Sequence, residues 1–191
     1  MFNPKKFFMK KVILLITIIW SSITVSSLQS CNKLTDTLQV DVPYQLSDSF
    51  IIPQLPVAGD TTFTLPTVHI NIDSLIKTVN SSLGASNIKS VKIDSCIMTM
   101  VNNNTETDHF GSFSALSVGL ITSGSSTTIA SVSNNPDVAV YTLNLSVTGV
   151  DLKNNFSSND FIYQISVTTR RATSTALNLT VRFKFDITVG L

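Results

Sequence analysis

The chain has 191 residues, of which 43% are hydrophobic and 13% are charged, and its formal net charge is +1. Four lysines stand within the first eleven positions, and the only adjacent basic pair after them is Arg170-Arg171. Nucleic-acid binding requires clustered Lys and Arg side chains that contact phosphates, so this distribution disfavours a nucleic-acid partner. The Arg170-Arg171 pair is expected instead at a turn that ends a strand.

The first predicted element is an export signal at the N-terminus. The four lysines precede the apolar run Val12–Trp20, and small or hydroxylated residues follow as far as Ser30. This order is typical of a secretory signal, and the run is shorter than the roughly 20 apolar residues of a membrane-spanning helix. We therefore expect export with cleavage. An uncleaved anchor over Val12–Leu28 is the alternative.

The end of this signal contains the tetrapeptide Leu28-Gln29-Ser30-Cys31. It resembles the lipobox of bacterial lipoproteins, which has a branched apolar residue three positions before the cut, a small residue directly before it and a cysteine after it. Gln29 departs from the small or apolar residue that is usual at its place. The resemblance implies that residues 1–30 are removed as a signal peptide. It also implies that Cys31 is the first mature residue, with a diacylglyceryl group on its thiol and an acyl chain such as palmitate on its amine.

The two cysteines of the chain leave a second possibility, a disulfide between Cys31 and Cys96. In an oxidising envelope, closing a loop of about 65 residues would contribute roughly 4 kcal/mol in the chain-entropy model. The position of Cys31 at the end of a signal peptide favours lipid attachment. Cys96 is then expected to pack as a lone buried thiol.

Removal of residues 1–30 changes the charge balance of the chain. Four lysines are lost, so that 161 residues remain with 9 basic and 12 acidic side chains and a net charge of −3. A chain of this length buries about 70% of its unfolded surface and needs no disulfide. We expect residues 31–37 to form the lipidated N-terminus and a short tether, and residues 38–191 to form a single domain.

Most of the mature chain predicts strands. Apolar and polar residues alternate most regularly in Leu177–Val189, and the same period of two appears in Ala139–Thr148 and Phe161–Thr168. Each of these segments therefore has one apolar and one polar face. Weaker strands are predicted at Leu38–Val42, Phe50–Ile52, Thr61–Leu65, Val68–Ile72, Ile88–Val101, Phe113–Ile121 and Thr127–Val132.

Three segments differ from this pattern. Apolar residues at helical spacing predict one short helix near 73–83, with Asp73 as its N-cap and Gly84 at its end. Four prolines between Val42 and Pro66 predict an edge strand or an extended arm. A shorter helical turn is expected at Asp151–Asn155.

Eight to ten strands separated by polar turn clusters predict an all-β fold. One-sided strands must pair their apolar faces across a core, so we expect an antiparallel β-sandwich of the immunoglobulin-like or a related type. A closed barrel is the runner-up.

The polar segment 102–109 is the one candidate for chemistry. Asn104, Glu106, Asp108 and His109 combine oxygen donors at alternate positions with an imidazole, and this combination indicates a weak metal or hydrolytic site as one alternative. The segment lacks the central glycine and the terminal bidentate acid of the helix-loop-helix calcium motif, and a solvated hairpin between two strands is the favoured interpretation. No catalytic or phosphate-binding motif occurs in the sequence. We therefore predict no enzyme, no catalytic residue, no metal and no cofactor.

Together these patterns predict a lipid-anchored protein of the cell envelope, most consistent with the outer membrane and the periplasmic side. A tether of about six residues reaches at most about 20 Å, so the domain stays close to the membrane that holds Cys31. We expect a non-enzymatic binding or accessory module for a protein or glycan partner. The alternatives are a carrier of a lipid or small apolar ligand in a sandwich cavity, with the helix as its lid, and the weak site in residues 102–109.

Overall fold

The computed structural model describes residues 39–56, 59–101, 108–122, 125–157 and 159–191. The predicted signal peptide and the segment 31–37 lie outside these residues. Val40–Val189 form one compact unit; the other unit is Met1–Gln39 with Gly190–Leu191, of which residues 39, 190 and 191 are described. No helix of the described residues is long and apolar enough to cross a membrane.

The described residues form nine strands, one α-helix and three 3₁₀ turns. The strands are β1 (Gln39–Ile52), β2 (Gly59–Thr64), β3 (Val68–His69), β4 (Ile88–Met100), β5 (Phe113–Thr122), β6 (Ser125–Val132), β7 (Thr142–Val147), β8 (Asp160–Thr169) and β9 (Leu177–Gly190). The helix is α1 (Ile72–Val79), and the 3₁₀ turns are Ala85–Asn87, Phe110–Ser112 and Asn155–Ser157.

The strands form one antiparallel sheet in the order β1-β9-β4-β7-β6-β5-β8-β2, and β3 pairs with β8. The sheet curls into a half-barrel, which confirms the predicted all-β, sandwich-like fold. We call β1-β9-β4-β7 the first layer and β6-β5-β8-β2 the second layer. Because β1 and β2 are the two ends of this order, the sheet of the described residues is open, and the closed barrel was the wrong alternative.

The apolar faces of the two layers meet in a core of aromatic side chains. The odd-numbered residues from Leu177 to Val189 in β9 are buried, as their period of two predicts. Tyr163 of β8 in the second layer stacks on Phe183 of β9 in the first, with ring centroids 5.0 Å apart and planes inclined by 14°. β8 and β9 are not neighbours in the sheet, so this contact is made across the core.

The edge strand β1 replaces two separate strands that the sequence predicts. Leu38–Val42 and Phe50–Ile52 were expected as short strands, whereas β1 runs without interruption through Pro43. Proline has no N–H to donate, and an edge strand tolerates it because only one side of the strand is paired. The expectation of an edge strand in this proline-containing segment is confirmed.

The helix prediction is correct in place but wrong in its caps. The N-cap is Asn71, whose Oδ1 accepts a hydrogen bond from the backbone N–H of Ser74 at 2.9 Å. Asp73 lies in the first turn, and its Oδ1 accepts from the backbone N–H of Ala85 at 3.1 Å. Its carboxylate is thus used to join α1 to the 3₁₀ turn that follows. Gly84 does not end the helix, since the backbone has already left helical geometry at the C-cap, Asn80.

The packing of α1 is not that of a lid that covers a ligand cavity. Ile72 and Ile76 are completely buried in the core cluster, and Leu75 packs against it, while Val79 is 51% exposed. Three pockets of the described surface have volumes of about 340 to 410 Å³, and α1 lines none of these three. The apolar side chains Ile72, Leu75 and Ile76 therefore pack as part of the core.

The predicted lone thiol and two other segments can be compared directly with the structure. Cys96 is a free, buried thiol, and burial raises its pKa to about 12. The predicted strand Ala139–Thr148 is shorter than expected, since β7 contains only Thr142–Val147 and Tyr141 is exposed. The predicted helical turn near 151–155 lies slightly later, at the 3₁₀ turn Asn155–Ser157.

Two substitutions in the central ring stack should have opposite effects on stability. The Tyr163 hydroxyl is buried and has no hydrogen-bond partner among the described residues. Tyr163→Phe keeps the stack and removes this unpaired group, so we expect the free energy of unfolding to stay constant or rise by about 1 kcal/mol. Phe183→Ala should lower it by about 3–5 kcal/mol because the ring leaves a cavity. Urea unfolding measures both values, and a large loss in Tyr163→Phe would contradict an unpaired hydroxyl.

Candidate functional site

The structure describes two of the five site residues that are predicted from the sequence. Cys31, Asn104 and Glu106 lie outside the described residues. Asp108 and His109 are buried, with 0% and 4% of their surface exposed. The expectation of a solvated hairpin is therefore wrong at this end of the segment. It is also wrong in topology, because β4 and β5, which the segment connects, are not neighbours in the sheet.

Asp108 holds the chain segment that precedes β9. Its Oδ1 accepts a hydrogen bond from the backbone N–H of Ser174 at 2.8 Å, and its Oδ2 accepts from the Ser174 hydroxyl at 2.6 Å. The Thr175 hydroxyl donates to the same Oδ2 at 2.9 Å. A buried carboxylate needs such donors to offset its desolvation, and here all three come from two consecutive residues. Asp108 is thus a clamp between two loops.

His109 lies beside this clamp and has a different environment. Its Nδ1 is buried and has no hydrogen-bond partner among the described residues. A Cβ atom added to Gly111 would stand 2.9 Å from the His109 Cε1 and 2.4 Å from the Val138 carbonyl oxygen, so the loop is closely packed around the ring. Within the described residues, no group of three or more His, Cys, Asp or Glu side chains could hold a metal ion. A metal or hydrolytic site that includes Asn104 and Glu106 stays a prediction.

Arg170 and Asn135 complete this corner of the fold, and neither is among the site residues predicted from the sequence. Arg170 Nη1 donates to the carbonyls of Gly111 and Phe113 at 3.0 and 3.2 Å, and its Nη2 donates to the carbonyl of Asn135. The Asn135 Nδ2 donates in turn to the carbonyls of Phe110 and Phe113, at 2.8 and 3.1 Å. The corner satisfies backbone carbonyls that would otherwise be buried without donors. Its role is structural.

Loss of the Asp108 charge should destabilise the fold. In Asp108→Asn one oxygen acceptor is replaced by an amide that cannot accept the hydroxyl protons, so we expect a loss of about 2–3 kcal/mol in the free energy of unfolding. Asp137→Asn is the matched control, since Asp137 forms an exposed ion pair with Arg171 and should lose at most about 1 kcal/mol. Equal losses in the two variants, measured by denaturant unfolding, would show that the clamp has no special role.

A second group of polar residues emerges only from the strand register. Five hydroxyl side chains lie directly opposite one another on five adjacent strands, from β2 through β8, β5 and β6 to β7. We call this set the hydroxyl row. Its members are Thr62, Ser166, Ser117, Ser131 and Ser146. All five are exposed or half-buried, on the face that points away from the core.

The surroundings of the hydroxyl row are polar and nearly uncharged. In the second layer, the neighbouring cross-strand positions on one side are Asp60, Thr168 and Ala115, and the Thr168 hydroxyl donates to Asp60 Oδ1 at 2.6 Å. Thr64, Gln164, Gly119 and Thr128 occupy the positions on the other side. A shallow pocket of about 410 Å³ spans Asp60, Thr168 and the three central members of the row. Each hydroxyl can both donate and accept hydrogen bonds.

The outer face of the first layer has the opposite chemistry. Charged side chains lie on this face of both β4 and β9, and four of them form two neighbouring pairs of opposite sign. Lys184 Nζ donates to Asp94 Oδ2 at 2.7 Å, and Lys92 lies opposite Asp186 in the register. The two outer faces therefore present different surfaces, one charged and one rich in hydroxyl groups.

The comparisons with known proteins identify no function for this chain. No family model matches the chain, and no curated protein sequence matches it. Among solved structures the chain is similar to one from Desmodium yellow mottle tymovirus, with 15% sequence identity, a TM-score of 0.26, and coverage of 78% of this chain and 89% of that chain. A similarity at this level carries no argument about function.

Proposed function

We propose that this chain is a lipid-anchored cell-envelope protein that acts as a non-enzymatic binding module, and that the hydroxyl row binds a neutral glycan. The single observation that carries the proposal is the in-register placement of Thr62, Ser166, Ser117, Ser131 and Ser146 across five strands. Rigid strands hold these hydroxyls at the strand spacing of about 4.8 Å. A binding surface on rigid elements loses little conformational entropy when a ligand is bound.

The chemistry of the hydroxyl row favours a glycan over a protein. Protein interfaces are anchored by buried aromatic and Arg side chains, and the row with its two flanking sets contains neither. A sugar presents several hydroxyl groups that donate and accept hydrogen bonds, as Ser and Thr side chains do. Asp60, at the edge of the pocket, adds a carboxylate that can accept from two sugar hydroxyls.

The N-terminal sequence supports the location of this module. The Leu28-Gln29-Ser30-Cys31 tetrapeptide resembles a lipobox, and acyl chains on Cys31 would hold the domain at the membrane, in this proposal at the periplasmic side of the outer membrane. A short tether then keeps the hydroxyl row close to the glycans that lie next to that surface. Because the role is binding, it needs no catalytic residue, metal or cofactor.

The anchor is tested by the two cysteines. In a bacterial host supplied with labelled palmitate, Cys31→Ser should abolish incorporation of the label and release the protein from the membrane fraction. Cys96→Ala is the matched control, since Cys96 is 1% exposed and should remain labelled and membrane-bound. Label in the Cys31→Ser protein, or an unmodified Cys31 peptide in the wild type by mass spectrometry, would contradict the proposed anchor.

The glycan surface is tested by a charge placed in the centre of the row. Ser117→Lys adds a long cationic side chain between Ser166 and Ser131, and we expect at least tenfold weaker binding to neutral oligosaccharides on a glycan array. Thr99→Lys makes the same change of charge on the outer face of the first layer and should bind like the wild type.

Two results on the array would contradict the glycan proposal. One is the absence of saturable binding by the wild type to any neutral oligosaccharide. The other is an equal loss in Ser117→Lys and Thr99→Lys, which would show a general effect of charge rather than a surface on the second layer. Thermal unfolding of both variants establishes that each is folded before binding is compared.

A further inference from the structure

The outer face of the first layer contains a groove that the proposed glycan surface does not use. It lies over β9 between β1 and β4 and has a volume of about 400 Å³. Arg182 and Lys184 of β9 both line it, two positions apart on the same face of the strand and therefore about 7 Å from one another along the chain. The groove thus has two cations on its floor.

A β-bulge in β4 shapes one wall of this groove. The register of β4 with β9 shifts between Ile93 and Ser95, so that Asp94 is an extra residue opposite β9. The shift turns two consecutive polar residues away from the core, and Ser95 lines the groove as a result. Bulges commonly redirect a side chain next to a functional site.

The two cations differ in how far their charge is neutralised. Lys184 Nζ donates to Asp94 Oδ2 at 2.7 Å, which raises the pKa of Lys184. The Arg182 side chain is exposed and makes no hydrogen bond or ion pair with any residue that the structure describes. Asp186, the next carboxylate along β9, has Lys92 opposite it in the register. Arg182 therefore carries the uncompensated positive charge of the groove.

Neutral polar groups lie on both sides of Arg182, next to the apolar side chain of Ile97, which is opposite Arg182 in the register. Gln45 and Ser47 of β1 line the groove on one side, and Ser95 of β4 lines it on the other. An Arg fork donates two parallel hydrogen bonds to a tetrahedral oxyanion, and flanking hydroxyl and amide groups can donate to its remaining oxygens. A carboxylate would use only two of these donors, so the groove is better matched to phosphate.

We propose that the groove between β1 and β4 binds a phosphate group, with Arg182 as its principal ligand and with Ser47 and Ser95 as additional donors. The phosphate is either free or an ester such as the headgroup of a membrane lipid. This site lies on the first layer, whereas four of the five members of the hydroxyl row belong to the second layer, and it does not depend on the glycan proposal.

Calorimetric titration of the full chain in a neutral detergent tests the site, with inorganic phosphate, glycerol 3-phosphate and glycerol as separate probes. We expect saturable binding of one or both phosphates and none of glycerol. Tighter binding of glycerol 3-phosphate would indicate an ester as the natural source, and tighter binding of inorganic phosphate would indicate the free ion. Absence of saturable binding by both phosphates would overturn the proposal.

Variants then assign the binding to Arg182. Arg182→Gln should weaken binding by about tenfold or more, because a charged hydrogen-bonding group is lost, and Arg182→Lys should fall between it and the wild type because it keeps the charge without the fork. Lys89→Gln removes the same charge from β4 outside the groove and should bind like the wild type. An equal loss in Lys89→Gln and Arg182→Gln would overturn the assignment to the groove.

Discussion

Tyr163 of β8 stacks on Phe183 of β9, and this contact between two strands that are not hydrogen-bonded to one another holds the two layers face to face. Each layer has one apolar surface that is stable only when another covers it. Phe156 belongs to the same core, and its ring centroid lies 4.6 Å from that of Phe161 and 5.3 Å from that of Phe185. Once the apolar faces are joined, both outer faces are left for polar residues.

The buried polar corner is a consequence of that curled sheet. The loops that connect strands of different layers must bury some backbone carbonyls, and Arg170 and Asn135 supply donors to them. Asp108 similarly joins its loop to Ser174, which is 66 residues away in the chain. A polar residue next to a turn cluster can therefore belong to the framework of the fold rather than to a solvated or catalytic loop.

The chemical difference between the two outer faces suggests a division of roles. The second layer presents hydroxyl groups on rigid strands with Asp60 at the edge, and the first layer presents charged side chains around a groove. A single domain would thus present the proposed glycan surface and the proposed phosphate site on different outer faces. In the proposed lipid-anchored protein, these two surfaces would face different components of the envelope.

The all-β class, the long strand of residues 177–190 and the strand-end turn at Arg170 were predictable from the sequence, because a period of two in polarity is a local property that the β geometry imposes. Strand order, the continuity of β1 through Pro43 and the N-cap at Asn71 were not predictable from the sequence, since each depends on which segment packs alongside. The burial of Asp108, the alignment of five hydroxyls and the isolation of Arg182 required the tertiary structure. These three features arise from register and packing between segments far apart in the chain. No local pattern of residues encodes that register or that packing.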